Sequence, residues 1–142
     1  MPVPSAAVLD TSVLLRLFHD HGDADQSVVD QLAEDWLAER FSGVLLDLTV
    51  YECLNVVVRR LGFSADRARA VAEAIYDLGA PIVAVDRDLA AATARLAVDL
   101  GLSGYDAAFV AAARGLGLPL LTADRRLHDR AGGTAMLLAD LR

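Results

Sequence analysis

Short apolar runs alternate with helical patterns along the whole chain of 142 residues, and this alternation limits the fold more than any other feature. Each apolar run has the length of a β-strand, and the longer segments between the runs have helical periodicity. Because strands that alternate with helices form crossover connections, they build a mostly parallel sheet covered by helices on both faces. The predicted strands are Ala6–Leu9, Gly43–Leu46, Ile82–Val85, Leu118–Leu121 and Ala135–Leu138.

Helical patterns fill the segments between these strands. They are Val13–Phe18, Asp25–Phe41, Val50–Leu61, Ala65–Leu78, Leu89–Leu100, Tyr105–Leu116 and a short pattern near Arg125–Arg130. The length of the chain fits one domain of the commonest size, and it is sufficient for a substantial core. We therefore predict a single α/β domain over residues 1–142, with three layers, α/β/α, around a mostly parallel sheet of about five strands.

Two segments of the chain carry the same series of local signals. LGAPIVAVDRDL (78–89) and LGLPLLTADRRL (116–127) each contain a helix end, a glycine, a proline, a strand and an aspartate before the next helix. One match of this length is too short for a true repeat, so it indicates the same helix–strand–helix junction formed twice. Asp86, the counterpart of Asp124, lacks a threonine two residues earlier, and we interpret it as a helix N-cap.

The composition is typical of a globular protein, with 55% hydrophobic residues. No apolar run approaches the roughly 18 residues that a membrane span needs. The N-terminal sequence MPVPSAAVLD has no basic segment before its apolar run, unlike a signal peptide. Cys53 is the only cysteine, which excludes an intrachain disulfide and a cysteine metal cluster, and a buried thiol is expected there. These features favour a cytoplasmic protein.

The formal net charge of −7 disfavours a passive nucleic-acid binder, because such proteins normally carry a basic surface. All 13 basic residues are arginine. Arginine suits planar, bidentate contacts with phosphate, although codon bias also produces an arginine-rich chain without lysine. The charge therefore bears on solubility and steering, and it does not define the fold or the chemistry.

Four carboxylates occupy similar places relative to the predicted strands and helices. Asp10 ends the first strand, Asp124 follows the strand Leu118–Leu121, and Glu52 and Asp106 lie near the starts of helices. In an open parallel sheet, ligands bind in the crevice at the carboxyl ends of the strands, where the following helices begin. The four side chains are therefore expected to converge on one crevice.

Each of these acids also has a purely structural interpretation. Asp10 and Asp124 stand where an N-cap accepts hydrogen bonds from the first turn of a helix. Glu52 follows Thr49 by three residues, as in a capping box, and the stretch SGYD (103–106) is similar. Acidic residues in a first helical turn are favoured by the helix dipole in any case.

Taken together, the four carboxylates call for a cation. Two carboxylates about 4 Å apart repel by roughly 4 kcal/mol at an effective dielectric constant near 20. Their pKa values would rise unless a positive charge compensates. Carboxylate oxygens with no His or Cys nearby suit Mg²⁺ or Mn²⁺, so we predict a divalent metal site.

Polar side chains near the acids have two interpretations each. Asn55 lies one turn after Glu52, where it could orient a carboxylate or face solvent. Thr122 could hydrogen-bond to the metal site or only end its strand. Arg125 and Arg126 could contact phosphate, or only face solvent.

At the level of motifs, the chain resembles the PIN-domain nucleases, and within them the VapC-type toxins of bacterial toxin–antitoxin pairs. The likeness covers nearly the whole chain and its order and spacing, since no single motif is specific. The motifs are VLDTSVLL (8–15), TVYECLNVVVRR (49–60), SGYDAAFVAAAR (103–114) and LLTADRRL (120–127).

The resemblance implies specific roles for residues of this chain. It implies that the catalytic and metal-binding acids are Asp10, Glu52, Asp106 and Asp124. The polar positions that it places around the metal are Thr11, Ser12, Asn55 and Thr122. It further implies a homodimer, a small antitoxin protein that blocks the site, and Mg²⁺- or Mn²⁺-dependent cleavage of RNA.

These expectations combine into an endoribonuclease that acts as the toxin of a toxin–antitoxin pair, in which a metal-activated water hydrolyses an RNA phosphodiester. Residues 49–61 and the helix 25–41 would frame the RNA groove and the antitoxin contact. One alternative is a PIN-like module without catalytic activity that only binds a partner. Another is a phosphatase that forms an aspartyl-phosphate on Asp10, but the second aspartate which that chemistry commonly uses is replaced by Ser12.

Overall fold

The computed structural model describes residues 1–141, and it confirms the predicted three-layer α/β fold. Within these residues the strands are β1 (Ala6–Leu9), β2 (Ser42–Leu46), β3 (Ile82–Val83), β4 (Leu120–Thr122) and β5 (Ala135–Leu137). The helices are α1 (Thr11–Phe18), α2 (Gln26–Leu37), α3 (Asp47–Arg59), α4 (Ala65–Asp77), α5 (Arg87–Leu100), α6 (Gly104–Leu116) and α7 (Arg125–Arg130). A 3₁₀ turn, Leu138–Asp140, follows β5.

All strands of the sheet run parallel, in the spatial order β3-β2-β1-β4-β5. The chain therefore builds outward from β1 on one side through β2 and β3, and then returns to the other side with β4. Such a reversal of strand order opens a crevice at the carboxyl ends of the two strands that flank it. Val8 pairs with Leu120 and Leu9 with Leu121, so the residues that follow β1 and β4 lie side by side at this crevice.

The side chains of β1 point alternately into two separate hydrophobic cores. Ala7 and Leu9 pack into one core with residues of α1 to α4, while Val8 packs into the other with residues of α5, α6 and α7. Successive side chains of a strand point to opposite faces, so a central strand covered on both sides is apolar throughout. The sheet is thus covered by helices on both faces, which fixes the position of its carboxyl edge.

In the described part of the chain, no single helix is long and apolar enough to cross a membrane. Only α5 and α6 taken together reach such a length and composition, with a bend of 114° between them. In this fold α6 is a core helix, with Phe109, Val110 and Ala113 fully or almost fully buried.

The boundaries of several elements differ from those predicted. β3 has two residues instead of four, because it is an edge strand and the chain leaves the sheet at Ala84 and Val85, which are exposed. α1 begins directly after Asp10, two residues earlier than its apolar pattern indicated. The predicted extension of α2 to Phe41 is also wrong, since this helix ends at Leu37.

Candidate metal centre

The carboxylate of Asp10 is the buried centre of the crevice. It accepts hydrogen bonds from the backbone N–H of Thr11, the hydroxyl of Ser12 and the hydroxyl of Thr122, each at 2.8 Å. Asp10 is the N-cap of α1, as its position after a strand predicted. Because two of its three donors are side chains, and one of those comes from β4, the contacts of this residue go beyond those of a helix cap.

The two hydroxyls that bind Asp10 also bind the backbone after β4. Thr122 Oγ1 accepts a hydrogen bond from the N–H of Asp124 at 3.0 Å, and Ser12 Oγ accepts one from the N–H of Ala123 at 3.0 Å. Thr122 is fully buried. These hydroxyls therefore lock the end of β1 to the end of β4 and fix the distance between Asp10 and Asp124.

Glu52 reaches the same crevice from the second turn of α3. Its Oε1 accepts a hydrogen bond of 2.8 Å from the hydroxyl of Thr11, the residue next to Asp10. The predicted capping box is wrong, because α3 begins at Asp47 and Thr49 lies within its first turn, where its hydroxyl accepts from the N–H of Leu46 at 3.1 Å. Glu52 thus has no role in starting the helix, and its purely structural interpretation is removed.

Asp106 and Asp124 enter the crevice from the starts of α6 and α7. The hydroxyl of Ser103, the N-cap of α6, accepts a hydrogen bond from the N–H of Asp106 at 3.1 Å. Asp124 is the N-cap of α7, and its Oδ1 accepts from the N–H groups of Arg126 and Leu127 at 2.8 and 3.2 Å. The electropositive ends of these helices favour negative side chains at both positions.

Burial and mutual repulsion raise the pKa of three of these acids. Burial raises the pKa of Asp10, against the hydrogen bonds that stabilise its charged form, and the charge of Asp106 raises it further. Burial and then the charges of Asp10 and Asp106 raise the pKa of Glu52. Burial and the charge of Asp124 raise the pKa of Asp106, while Arg126 lowers it. The four carboxylates therefore form one electrostatically coupled cluster.

None of the ion pairs among residues 1–141 includes a member of this cluster. The acids that pair with an arginine are Asp23, Asp35, Glu73 and Asp99, and Asp129 contacts the ring of His128. Hard oxygen donors, uncompensated negative charge and raised pKa values all suit a divalent cation such as Mg²⁺ or Mn²⁺. In donor type and in charge, these residues fit the predicted ion.

To bind a metal ion, the carboxylates would have to change their present orientations. Within the described chain, no group of three or more His, Cys, Asp or Glu side chains is already arranged to hold a metal ion. The carboxylates of Asp10 and Asp124 are directed at hydroxyl and backbone donors instead. Binding of an ion would therefore require the carboxylates to turn toward one another, which the half-buried Glu52 and the exposed Asp124 have room to do.

The remaining residues predicted for the site lie at its margin. Asn55 is exposed on α3, one turn beyond Glu52, and takes no part in the hydrogen bonds around Asp10. Arg125 is exposed, and the arginine whose charge acts on the cluster is its neighbour, Arg126. Neighbouring residues of a helix point about 100° apart, and no pattern in the sequence indicates which of these two arginines faces the cluster.

Cys53, next to Glu52, belongs to the core. Its side chain is fully buried, as expected, and burial raises the pKa of its thiol to about 11. A thiol with so high a pKa stays protonated near neutral pH, so it is neither a metal ligand nor a nucleophile.

The fold and the cluster define a class: a three-layer α/β domain with acidic residues at the carboxyl edge of a parallel sheet. Residues 7–133 match the PIN domain, and the chain belongs to the PIN domain family. The predicted resemblance to PIN-domain proteins of the VapC type is thereby confirmed. A comparison with curated proteins gives no significant match.

Several solved structures share this fold. FitAcB from Neisseria gonorrhoeae has 21% sequence identity and a TM-score of 0.72, and the match covers 95% of this chain and 99% of that one. VapC20 from Mycobacterium tuberculosis, described as a toxin that cleaves the sarcin–ricin loop, has 22% identity, a TM-score of 0.68 and coverages of 89% and 95%. VapBC-5 from the same organism has 26% identity, a TM-score of 0.59 and coverages of 94% and 98%.

Proposed function

We propose that this chain is a divalent-metal-dependent endoribonuclease that acts as the toxin of a toxin–antitoxin pair. The observation that carries the proposal is the cluster of Asp10, Glu52, Asp106 and Asp124, which four different elements bring to one sheet edge without a pairing cation. The family membership and the similarity to a toxin that cleaves the sarcin–ricin loop support RNA as the substrate. Such a substrate is consistent with a protein of the cytoplasm.

The four carboxylates would hold one or two Mg²⁺ or Mn²⁺ ions. A bound ion would supply Lewis-acid chemistry: it lowers the pKa of a water molecule and neutralises charge on the phosphate. The protein contributes the positions of the ligands. The hydroxyls of Ser12 and Thr122 hold the buried Asp10 at the end of β1, and the hydroxyl of Thr11 keeps Glu52 beside it. Partners of this kind typically change metal affinity or activity by about 10- to 100-fold when they are removed.

Arg126 is the residue placed to act on the phosphate. Its positive charge already acts on Asp106, so it lies close to the cluster. A guanidinium at this position can offset negative charge on the scissile phosphate or on the leaving oxygen. We propose this role for Arg126, with the exposed Arg125 as a more distant phosphate contact.

An antitoxin partner is supported by the similar structures and by an apolar groove of this chain. One similar structure is described as a toxin–antitoxin complex from Klebsiella pneumoniae. In this chain, an open groove of about 230 Å³ lies between α1, α2 and α4. Leu17, Phe18, Trp36 and Leu37 line it, and Leu37 is 89% exposed. We propose that the antitoxin covers this groove and that the chain forms a homodimer.

The alternative without catalysis has one observation in its favour, namely that the described carboxylates are not yet arranged as a metal site. Cleavage of RNA distinguishes the two functions. The purified chain is incubated with structured RNA in Mg²⁺, in Mn²⁺ and in EDTA, beside Asp10→Asn and Asp106→Asn. The proposal predicts cleavage only in the presence of metal and only by the unchanged chain. Cleavage that persists in EDTA, or in both variants, would contradict it, and so would a complete lack of cleavage under all conditions.

The role as a toxin has its own test. Expression of the chain should arrest growth, and co-expression of the small protein encoded beside it should restore growth. The Asp10→Asn variant is the control, because it keeps the groove but loses the proposed activity. Growth arrest by this variant at the level of the unchanged chain would contradict the assignment.

A further inference from the structure

Two tyrosines flank the metal centre and project into solvent. Tyr51 directly precedes Glu52 on α3, and Tyr105 directly precedes Asp106 on α6. Glu52 and Asp106 lie close enough for the charge of Asp106 to raise the pKa of Glu52. Neighbouring residues of a helix point about 100° apart around its axis. Each tyrosine ring therefore leaves its helix to one side of the carboxylate that follows it in the sequence.

Packing does not account for these two rings. Tyr51 is 75% exposed and Tyr105 is 65% exposed, whereas the phenylalanines and the tryptophan of the chain are buried or partly buried. Neither phenol hydroxyl takes part in a hydrogen bond within residues 1–141. Exposure alone does not distinguish these rings, since Tyr76 is 64% exposed; what distinguishes Tyr51 and Tyr105 is that each directly precedes an acid of the cluster.

The surface next to Tyr51 has groups that suit a nucleic-acid strand. Glu52, Asn55 and Arg59 recur at a helical spacing that places them along one side of α3. Asn55 and Arg59 are exposed, and Arg59 forms none of the ion pairs found in the described residues. Next to the acidic cluster, the amide of Asn55 provides a hydrogen-bonding group. One turn further along α3, the guanidinium of Arg59 provides a phosphate contact.

We propose that Tyr51 and Tyr105 are stacking surfaces for the bases on the two sides of the scissile phosphate. The substrate would then be an unpaired stretch of RNA, such as a loop or a bulge, because bases inside a duplex are already stacked and cannot reach the rings. Stacking on aromatic side chains adds a contribution to affinity that does not depend on charge, which matters for a chain with a net charge of −7. This inference rests on the proposed function and names two residues that would position its substrate.

The chain provides a matched control for this proposal. Tyr76 on α4 is 64% exposed, almost as much as Tyr105, but its helix carries none of the four acids. Alanine variants of the three tyrosines and phenylalanine variants of Tyr51 and Tyr105 should all fold, because these side chains are exposed, and thermal unfolding verifies this. Phenylalanine keeps the stacking face and removes only the hydroxyl.

Binding is measured with single-stranded RNAs of mixed sequence that contain 2-aminopurine, whose fluorescence is quenched when it stacks. Ca²⁺ replaces Mg²⁺ in this arm, so that binding is read without cleavage. Tyr51→Ala and Tyr105→Ala should each weaken binding by about 5- to 100-fold. The phenylalanine variants and Tyr76→Ala should bind like the unchanged chain. Cleavage in Mn²⁺ of the same strands, alone and annealed to their complements, forms the second arm, in which the duplex should resist cleavage.

The inference is overturned if both alanine variants bind and cleave like the unchanged chain, if the duplex is cleaved as fast as the single strand, or if the unchanged chain binds none of the RNAs. It fails separately from the proposed function. An unchanged chain that cleaves no RNA in Mn²⁺ removes the nuclease, whereas a chain that cleaves well but ignores both tyrosine substitutions removes only the stacking.

Discussion

The segments 78–89 and 116–127 form the same local structure, but only one of them contributes to the acidic cluster. In each, a glycine with a φ of 67° ends a helix, the carbonyl of a proline accepts a hydrogen bond of 2.9 Å from the neighbouring strand, and an aspartate caps the next helix. The first segment builds β3 at the edge of the sheet, while the second builds β4 beside β1.

One side chain adds to this difference. Thr122 binds both Asp10 and the backbone of Asp124, whereas the equivalent residue of the first segment is Ala84, which is exposed. Asp86 accordingly only accepts from the N–H of Leu89. A capping aspartate thus becomes part of a site when the strand before it lies at the reversal of strand order and a hydroxyl connects it to its neighbour.

The strongest test of this comparison exchanges the two aspartates for asparagine. Asparagine is also a good N-cap, so both helices keep their caps and only a negative charge is lost. Asp124→Asn should lower RNA cleavage in Mg²⁺ by at least about 100-fold, since a metal ligand contributes more than the partners that orient it. Asp86→Asn should cleave at the rate of the unchanged chain. Equal losses in the two variants would show that the segments do not differ in function.

A smaller effect is expected from the threonine alone. Thr122→Val keeps the shape of the side chain but leaves Asp10 without one donor, and the loss of a partner to a buried charged group costs about 1–3 kcal/mol of unfolding free energy. Cleavage should fall by about 10- to 100-fold. The exposed counterpart, Ala84→Thr, should change the unfolding free energy by less than about 0.5 kcal/mol. Denaturant unfolding measures both, and a Thr122→Val protein as stable and active as the unchanged chain would exclude the bridging role.

The smallest effect is on the dependence of stability on pH. The raised pKa values of Asp10, Glu52 and Asp106 mean that the folded chain holds more protons than the unfolded chain at pH values above about 4, the ordinary range of a carboxyl group. The free energy of unfolding from these groups therefore falls as the pH rises through the folded pKa values.

The melting temperature in EDTA should accordingly rise as the pH is lowered from 7 toward the ordinary carboxyl range near about 4, by about 4 °C for each kcal/mol of unfolding free energy. In Mn²⁺ this dependence should weaken, because the ion stabilises the ionised carboxylates. Asp10→Asn should also show a weaker dependence in EDTA, since one of the raised groups is gone. A melting temperature that changes equally with pH in the variant and in the unchanged chain argues against charge repulsion in the cluster.

The sequence was sufficient for the order and type of the elements, because apolar periodicity and the positions of capping residues are local, while the metal-binding role of the four acids stays a prediction. It was not sufficient for the start of α3. Asp47 and Thr49 are both good capping residues, and only the structure shows that the helix begins at Asp47 and that Thr49 supports its first turn. The length of β3 could not be predicted from the apolar pattern either. The apolar run extends to the exposed Val85, whereas the strand ends at Val83.

The links between the acids could not be obtained from local patterns. The contact between Thr122 and Asp10 joins residues 112 positions apart, and it depends on β4 lying beside β1. The same holds for the contact between Thr11 and Glu52, which requires α3 to pass the end of β1. Strand order arises from the packing of the whole sheet, and two segments as similar as 78–89 and 116–127 carry no local signal that decides which one lies inside.

Calorimetric titration with Mn²⁺ alone measures whether the four carboxylates hold a divalent ion regardless of any substrate. The unchanged chain and Asp86→Asn should both show saturable binding at one site or two neighbouring sites, and Asp124→Asn should lose most of it. The account is contradicted if the unchanged chain shows no saturable binding, or if Asp124→Asn binds Mn²⁺ as tightly as Asp86→Asn.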